Sequence, residues 1–297
     1  MNALKTALLR MMLHLGSVLP LGVARGLGRG AARLSWLIGG RSRRVTQKNI
    51  ALAWRELNTE QQAKLARDSF GATGELIGEM GHIWLRPWAY VSTLVKSVQG
   101  VELVSEALAC GRGVVILAPH LGNWEVLGLH LGTLGKTVSL YEAPRLAGLG
   151  PLIKQARQRT GAQLVPANRS GVASLLRNVR SGGIVGVLPD QVPDNPGSGE
   201  NIPFMGVPCF TGTLAARLVQ RSGALVVFGF AQRVAGGFAL HYQAVDSALY
   251  SQDRTLALEA LNAGVESSLR LCPEQYQWEY KRFRTWPRTK PGFYEGI

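Results

Sequence analysis

A histidine and a glutamate separated by four residues, His120 and Glu125, are the pair in this chain best suited to moving protons. An apolar run at 114–118 reads as a β-strand that delivers His120 at its end, and Gly122-Asn123 then turns the chain into a helix. Asn123 is a good helix N-cap, and Glu125 falls in the first helical turn, where a carboxylate suits the helix dipole. The expected result is convergence. His120 is the general base, and Glu125 fixes its tautomer and stabilises the imidazolium. The N–H groups of Gly122, Asn123 and Trp124 are expected to point at the same space and steady a developing oxyanion. As bare spacing His-x4-Glu is common; the strand, turn, cap and helix around it raise it to a candidate site.

The frame around these residues reads as an α/β fold, an open sheet covered by helices. Strands are expected at 113–118, 137–141, 163–166, 183–188, 224–230 and 238–244. Helices are expected at 124–134, 149–160, 170–180, 211–221 and 255–271, and an earlier one starts at Thr59. The loop 189–198 is rich in turn formers and cannot lie inside a sheet. Ligand sites in open α/β sheets gather beyond the carboxyl ends of strands, so the blocks carrying His120 and Asp190 should meet there. Asp190 and Gln191 keep two readings: turn formers, or groups that orient a sugar hydroxyl or a second face of His120. Arg157 and Arg159, on the helix after the second of these strands, are either solvated or partners for sugar phosphates.

At 297 residues the chain holds one large α/β domain or two small ones. Its net charge of +14 points to anionic partners. Nucleic acid is disfavoured, because the basic residues do not interleave with stacking aromatics and no binding motif is present. They collect at the two ends, in Arg25, Arg29, Arg33, Arg41, Arg43, Arg44 and Lys48, then in Lys281, Arg282, Arg284, Arg288 and Lys290. The first group adjoins apolar helical sequence, which reads as attachment to an anionic membrane face. The longest uncharged run there, 11–24, contains Pro20 and is shorter than the ~18–20 residues of a spanning helix. Residues 1–40 are therefore read as interfacial or half-inserted anchor helices ending at Gly39-Gly40, with 41–297 as the α/β domain. A span from Leu4 to Ala24 stays open as the alternative. No convincing signal-peptide cleavage site follows the run.

Other patterns carry less. Three widely spaced cysteines, Cys110, Cys209 and Cys272, argue against a disulfide framework or a structural zinc site, and Cys110 reads as a small apolar filler. Gly26-x-Gly28-x-x-Ala31 mimics a dinucleotide fingerprint but follows no strand. His130 sits five residues beyond Glu125, a poor spacing for shared metal ligation, and no Gly-x-Ser-x-Gly elbow exists. His14, His82 and His241 read as packed side chains. No cofactor or metal is implied.

His-Leu-Gly-Asn-Trp-Glu, 120–125, resembles the signature block of the bacterial lipid A biosynthesis acyltransferases, the lauroyl/myristoyl transferase family of His-x4-Asp/Glu type. Four further blocks resemble that family in order: the basic block at 41–50, Asp190-Gln191 within 186–191, 202–208, and 273–284. There are departures. Tyr141-Glu142-Ala143-Pro144 stands where Tyr-Arg-Pro is usual, Met205 replaces a second Phe at what would be a lipid-contacting surface, and Trp54-Arg55 replaces an aromatic-Pro pair. The resemblance implies a glycerol-3-phosphate-acyltransferase-like fold, open and mostly parallel or mixed in its sheet. It also implies an acyl carrier protein as donor, a Kdo-bearing phosphorylated lipid A precursor as acceptor, and work at the cytoplasmic face of the inner membrane. On that reading His120 and Glu125 are catalytic, and Arg157, Arg159, Asp190 and Gln191 bind substrate. The basic clusters at 41–48 and 281–290 are the expected docking surfaces for the acidic carrier. Two rivals remain: the same chemistry on another membrane glycolipid or lysolipid, and a catalytically silent lipid-binding protein.

Overall fold

The computed structural model describes residues 2–144, 147–288 and 292–297, which leaves Lys290 outside. Four helices lead: α1 (Asn2–Val18), α2 (Leu21–Ile38), α3 (Arg41–Ala53) and α4 (Thr59–Leu85). Pro20 separates the first two, because it lacks an N–H and forces the preceding residue out of helical conformation. Gly39 and Gly40, with φ of 77° and 145°, stop α2. A capping box starts α4: the Asn58 side chain accepts from the Gln61 N–H, and the Gln61 side chain accepts from the Asn58 N–H. Where α2 crosses α4 the backbones touch, and a Cβ on Gly28 would lie 2.0 Å from the Gly74 carbonyl oxygen. Of the Gly26-x-Gly28-x-x-Ala31 pattern, Gly28 thus serves helix packing, while Gly26 and Ala31 are exposed. No helix among the described residues is long and apolar enough to cross a membrane, and no single helix runs from 4 to 24. The chain breaks at Pro20 instead.

After α5 (Trp88–Thr93), β1 (Val95–Gln99) and α6 (Glu102–Ala109), strand and helix alternate. They are β2 (Val114–Leu117), α7 (Trp124–Leu134), β3 (Thr137–Tyr141), α8 (Gly150–Gln158), β4 (Gln163–Pro166), α9 (Arg169–Arg180) and β5 (Ile184–Val187). A hairpin, β6 (Gly199–Phe204) and β7 (Val207–Gly212), precedes α10 (Leu214–Ser222), β8 (Leu225–Val234), β9 (Gly237–Ala244) and α11 (Arg254–Arg270).

Seven strands form one sheet in the order β1-β9-β8-β2-β5-β3-β4. Its neighbours run parallel except β8 and β9, so the sheet is mixed. The central β2 and β5 are buried along their whole length, which is why Val-Val-Ile-Leu and Ile-Val-Gly-Val read as unbroken apolar runs. Side chains alternate between two helical layers. Val115 and Leu117 join the core beneath α9, α10 and α11, whereas Val114 and Ile116 join the one beneath α6 and α7. Three strands lie outside the sequence expectation. β1 is a polar, exposed edge, and β6 and β7 carry Pro203 and Pro208, which mask a strand pattern. Met205 and Gly206 link that hairpin with φ of 51° and 69°, the geometry of a two-residue type I′ turn. Met205 is buried there, its N–H donating to Glu266 Oε1 at 2.6 Å, so it forms no lipid-contacting surface.

Candidate active site

β2 and β5 are parallel neighbours whose last residues, Leu117 and Val187, pair in register. The loops that follow leave the sheet side by side, and each presents a polar side chain three residues on. His120 Nδ1 lies 2.9 Å from Asp190 Oδ1, and the His120 backbone N–H donates to Asp190 Oδ2 at 2.9 Å. An ionised carboxylate only accepts, so Nδ1 carries the proton and Nε2 keeps its lone pair. The Gln191 side-chain amide meets Nε2 at 3.1 Å, and the Trp124 ring stands edge-on to the imidazole at 5.0 Å between centroids. Burial works to raise the Asp190 pKa, but the His120 charge and hydrogen bonds, with Arg282 beyond, hold it below the ordinary value. Arg282 is itself buried, donating to the Phe210 carbonyl and the side chains of Thr211 and Asn262. The Tyr276 phenol, also buried, faces Asp190; burial first and that carboxylate next push its pKa well up.

Glu125 is elsewhere. It starts α7 as expected, but its carboxylate is gripped by Arg157 of α8, Nε to Oε2 at 2.9 Å and a terminal nitrogen to Oε1 at 2.6 Å. The expectation that Glu125 orients the imidazole is therefore corrected, and Asp190 occupies that position. The reason is geometric: the helix turns Glu125 toward α8, while the β5 loop brings Asp190 from the other side. Arg157 is correspondingly engaged by Glu125 and lies 5.9 Å from the Tyr141 ring centroid. Its pKa is lowered by burial but raised more by Glu125.

The expected trio of amides is also corrected. The Gly122 N–H donates to the Gln275 carbonyl at 3.0 Å, and the Asn123 N–H donates to the Ala231 carbonyl at 2.8 Å. Only Trp124, at the first position of α7, is left of the three for an oxyanion. The turn is clamped from both sides, since the Gln277 N–H donates to the His120 carbonyl at 3.0 Å. Gly122, at φ 61°, is required here, because a Cβ would lie 2.0 Å from the Ala231 oxygen. Asn123 caps α7 by accepting from the Val126 N–H and donates to Glu79 Oε2 at 2.8 Å. Glu79, on α4 and fully buried, also accepts from Arg25 at 2.7 Å and Arg233 at 2.6 Å. This buried network joins α2, α4 and β8 to the turn holding His120. Sequence reading overlooked it, and the only hint was a glutamate in an otherwise apolar, glycine-rich helical stretch.

A cleft of about 750 Å³ opens beside Gln191, walled by Leu188, Leu176 and Leu218, with Arg169, Arg217 and Arg221 along its length. Arg159 faces away from it, donating to the last-turn carbonyls of α4 at Ile83 and Trp84. His130 bonds Tyr242, and among the described residues no three His, Cys, Asp or Glu side chains gather as metal ligands. Cys110 is exposed at the end of α6 rather than filling a core.

The family model described as bacterial lipid A biosynthesis acyltransferase matches residues 3–285. A lipid A biosynthesis lauroyltransferase of Escherichia coli K12 is 24% identical over 93% of this chain and 90% of its own length. A palmitoleoyltransferase of the same organism is 24% identical over 84% and 81%, and a lipid A biosynthesis acyltransferase of Haemophilus influenzae is 24% identical over 82% and 76%.

Proposed function

Because this chain belongs to the bacterial lipid A biosynthesis acyltransferase family, and so is an acyltransferase of that route, we propose that it moves a fatty acyl group from an acyl carrier protein thioester to a hydroxyl of a Kdo-bearing, phosphorylated lipid A precursor. The observation that carries the mechanism is the His120–Asp190 pair. Asp190 fixes the tautomer, leaving Nε2 free to take a proton once the acceptor hydroxyl displaces the Gln191 amide. The hydroxyl oxygen attacks the thioester carbonyl as its proton passes to Nε2. The carbon–oxygen bond forms, the carbon–sulfur bond breaks, and the imidazolium returns the proton to the departing thiolate. Asp190 stabilises the imidazolium between the two transfers.

The rest of the chain has matching tasks. Arg157, one-third exposed and fixed by Glu125, keeps part of its guanidinium open for an anionic group of the acceptor. Leu4, Leu8, Met12 and Val18 of α1, with Leu27, Leu34, Leu37 and Ile38 of α2, are exposed, which supports seating of the N-terminal helices in the cytoplasmic face of an inner membrane. Mass spectrometry of lipid A from a deletion strain tests the reading. Loss of one secondary acyl chain is the expected result; a change in another lipid, or none, overturns it.

A further inference from the structure

Arg159 lines a cavity of its own. This space, about 500 Å³, lies between α1, the end of α4 and α8, and shares no lining residue with the partners of His120. Three arginines line it, Arg10 of α1 and the C-cap residues Arg86 of α4 and Arg159 of α8, together with His14, and no carboxylate does. Two donors of its wall, Arg159 Nε and the Trp84 indole N–H, are buried without a hydrogen-bond partner. Buried donors left unmatched are costly, and so are gathered cations without a counter-charge. Burial lowers the Arg159 pKa, with Glu125 opposing from outside the cavity.

The helix carrying Arg10 and His14 tells what sort of anion fits. Around α1, Leu9 and Leu13 turn inward against α4 and α8, Arg10 and His14 border the cavity, and Leu4, Leu8, Met11 and Leu15 form an exposed apolar stripe beyond them. A basic cavity beside an exposed apolar stripe matches a molecule with an anionic head and an apolar tail. The His14 Nδ1–H donates to the Arg10 carbonyl at 2.8 Å, which turns Nε2 to the other side of the ring. Arg86 is preset over the Tyr90 ring at 4.4 Å, a planar fork suited to phosphate oxygens.

We propose that this cavity binds the phosphate of a membrane lipid, whose tails lie along the apolar stripe of α1. The site extends the role expected of Arg159 and does not depend on acyl transfer by His120. The test is calorimetric titration of the full chain with a short-chain phosphatidic acid below its micelle concentration, alongside the matching diacylglycerol and inorganic phosphate. Phosphatidic acid should bind tightest. Arg10→Gln with Arg86→Gln should weaken it by about tenfold or more, as for lost charge-assisted bonds, while Arg177→Gln with Arg180→Gln leaves it unchanged. Trp84→Phe, which removes one N–H and no charge, should weaken it less and covers the event that the double variant does not fold. Equal losses from both arginine pairs would reduce the effect to net charge and overturn the site. Diacylglycerol binding as tightly would remove the phosphate, and inorganic phosphate binding as tightly would remove the lipid. In turnover assays, competition between phosphatidic acid and the acceptor assigns the phosphate to the acceptor; its absence assigns it to a resident phospholipid. The titration needs no turnover, so it stands or fails apart from the proposed reaction.

Discussion

In the proposed reaction an ionised Asp190 at Nδ1 of His120 does two things: it sets the tautomer of the resting enzyme and stabilises the imidazolium of the working one. His120→Ala should abolish transfer with the fold retained. Asp190→Asn should lower kcat by about 10²–10⁴, the range for a group that orients a general base. Glu125→Gln should act differently, because its carboxylate touches Arg157 and not the imidazole. We expect a smaller loss of rate, and a loss of stability of about 1–2 kcal/mol, discounted because the Arg157 side chain is 33% exposed. Steady-state kinetics and denaturant melts of the three variants separate these outcomes, and equal rate losses for Glu125→Gln and Asp190→Asn would return Glu125 to the proton path. The low Asp190 pKa also fixes a sign. A folded pKa below the unfolded one contributes stability above the ordinary carboxylate range, and that contribution disappears as pH falls through the folded value. The stability gap between wild type and Asp190→Asn should therefore narrow on acidification. His120, the turn and the Asn123 cap were legible because they are local, spanning a few residues that read in one period. The meeting of the His120 and Asp190 blocks was legible too, from the rule that sites gather beyond strand ends; that Asp190 rather than Glu125 holds Nδ1 was not, since Asp190 lies 70 residues along the chain and its place depends on β5 being the neighbour of β2.

Elements position this site through backbone contact and one buried ion cluster. Glu79 has no exposed surface and accepts from two arginines and Asn123. Glu79→Ala leaves Arg25 and Arg233 without that counter-charge and should cost about 3–5 kcal/mol, as for a broken buried pair. Chemical denaturation measures it, and a loss under 1 kcal/mol would show the cluster to be solvated in solution. The same cluster changes what removal of the N-terminus does. Deleting 1–38 takes Arg25 from Glu79 and uncovers the glycine face of α4, so the remainder should melt lower as well as leave membranes under high salt. A truncated protein of unchanged melting temperature would detach α2 from the active-site frame. The alternation from β2 to β5 was readable from unbroken apolar runs between helices. The two-residue hairpin was not, because its prolines and a methionine at positive φ carry no strand period.

Over the whole molecule, the charge of +14 is distributed less simply than its order in the chain suggests. Arg25 and Arg282 are buried, and Arg43 lies over the Trp36 ring at 4.9 Å while donating to its carbonyl. The basic stretch at 41–48 thus partly serves the corner between α2 and α3, and Arg43→Glu is a poor probe of docking. A different surface has the charge and the access. Along α9 and α10 stand Arg169, Arg177, Arg180, Arg217 and Arg221 with no acidic residue in either helix, and three of them line the cleft that Gln191 also borders. An acidic carrier settling there would direct its thioester arm along the cleft toward His120. Long-range attraction of this kind raises the association rate and is screened by salt. Arg169→Glu with Arg221→Glu should therefore raise the KM for a carrier-linked donor several-fold and flatten its salt dependence, while kcat changes little because docking is remote from the chemistry. With a small acyl thioester the same variant should behave as wild type. Detergent-solubilised enzyme removes the membrane as a competing partner, so the comparison reads the carrier alone. Equal losses with both donors would mean that these arginines shape the cleft rather than receive the carrier.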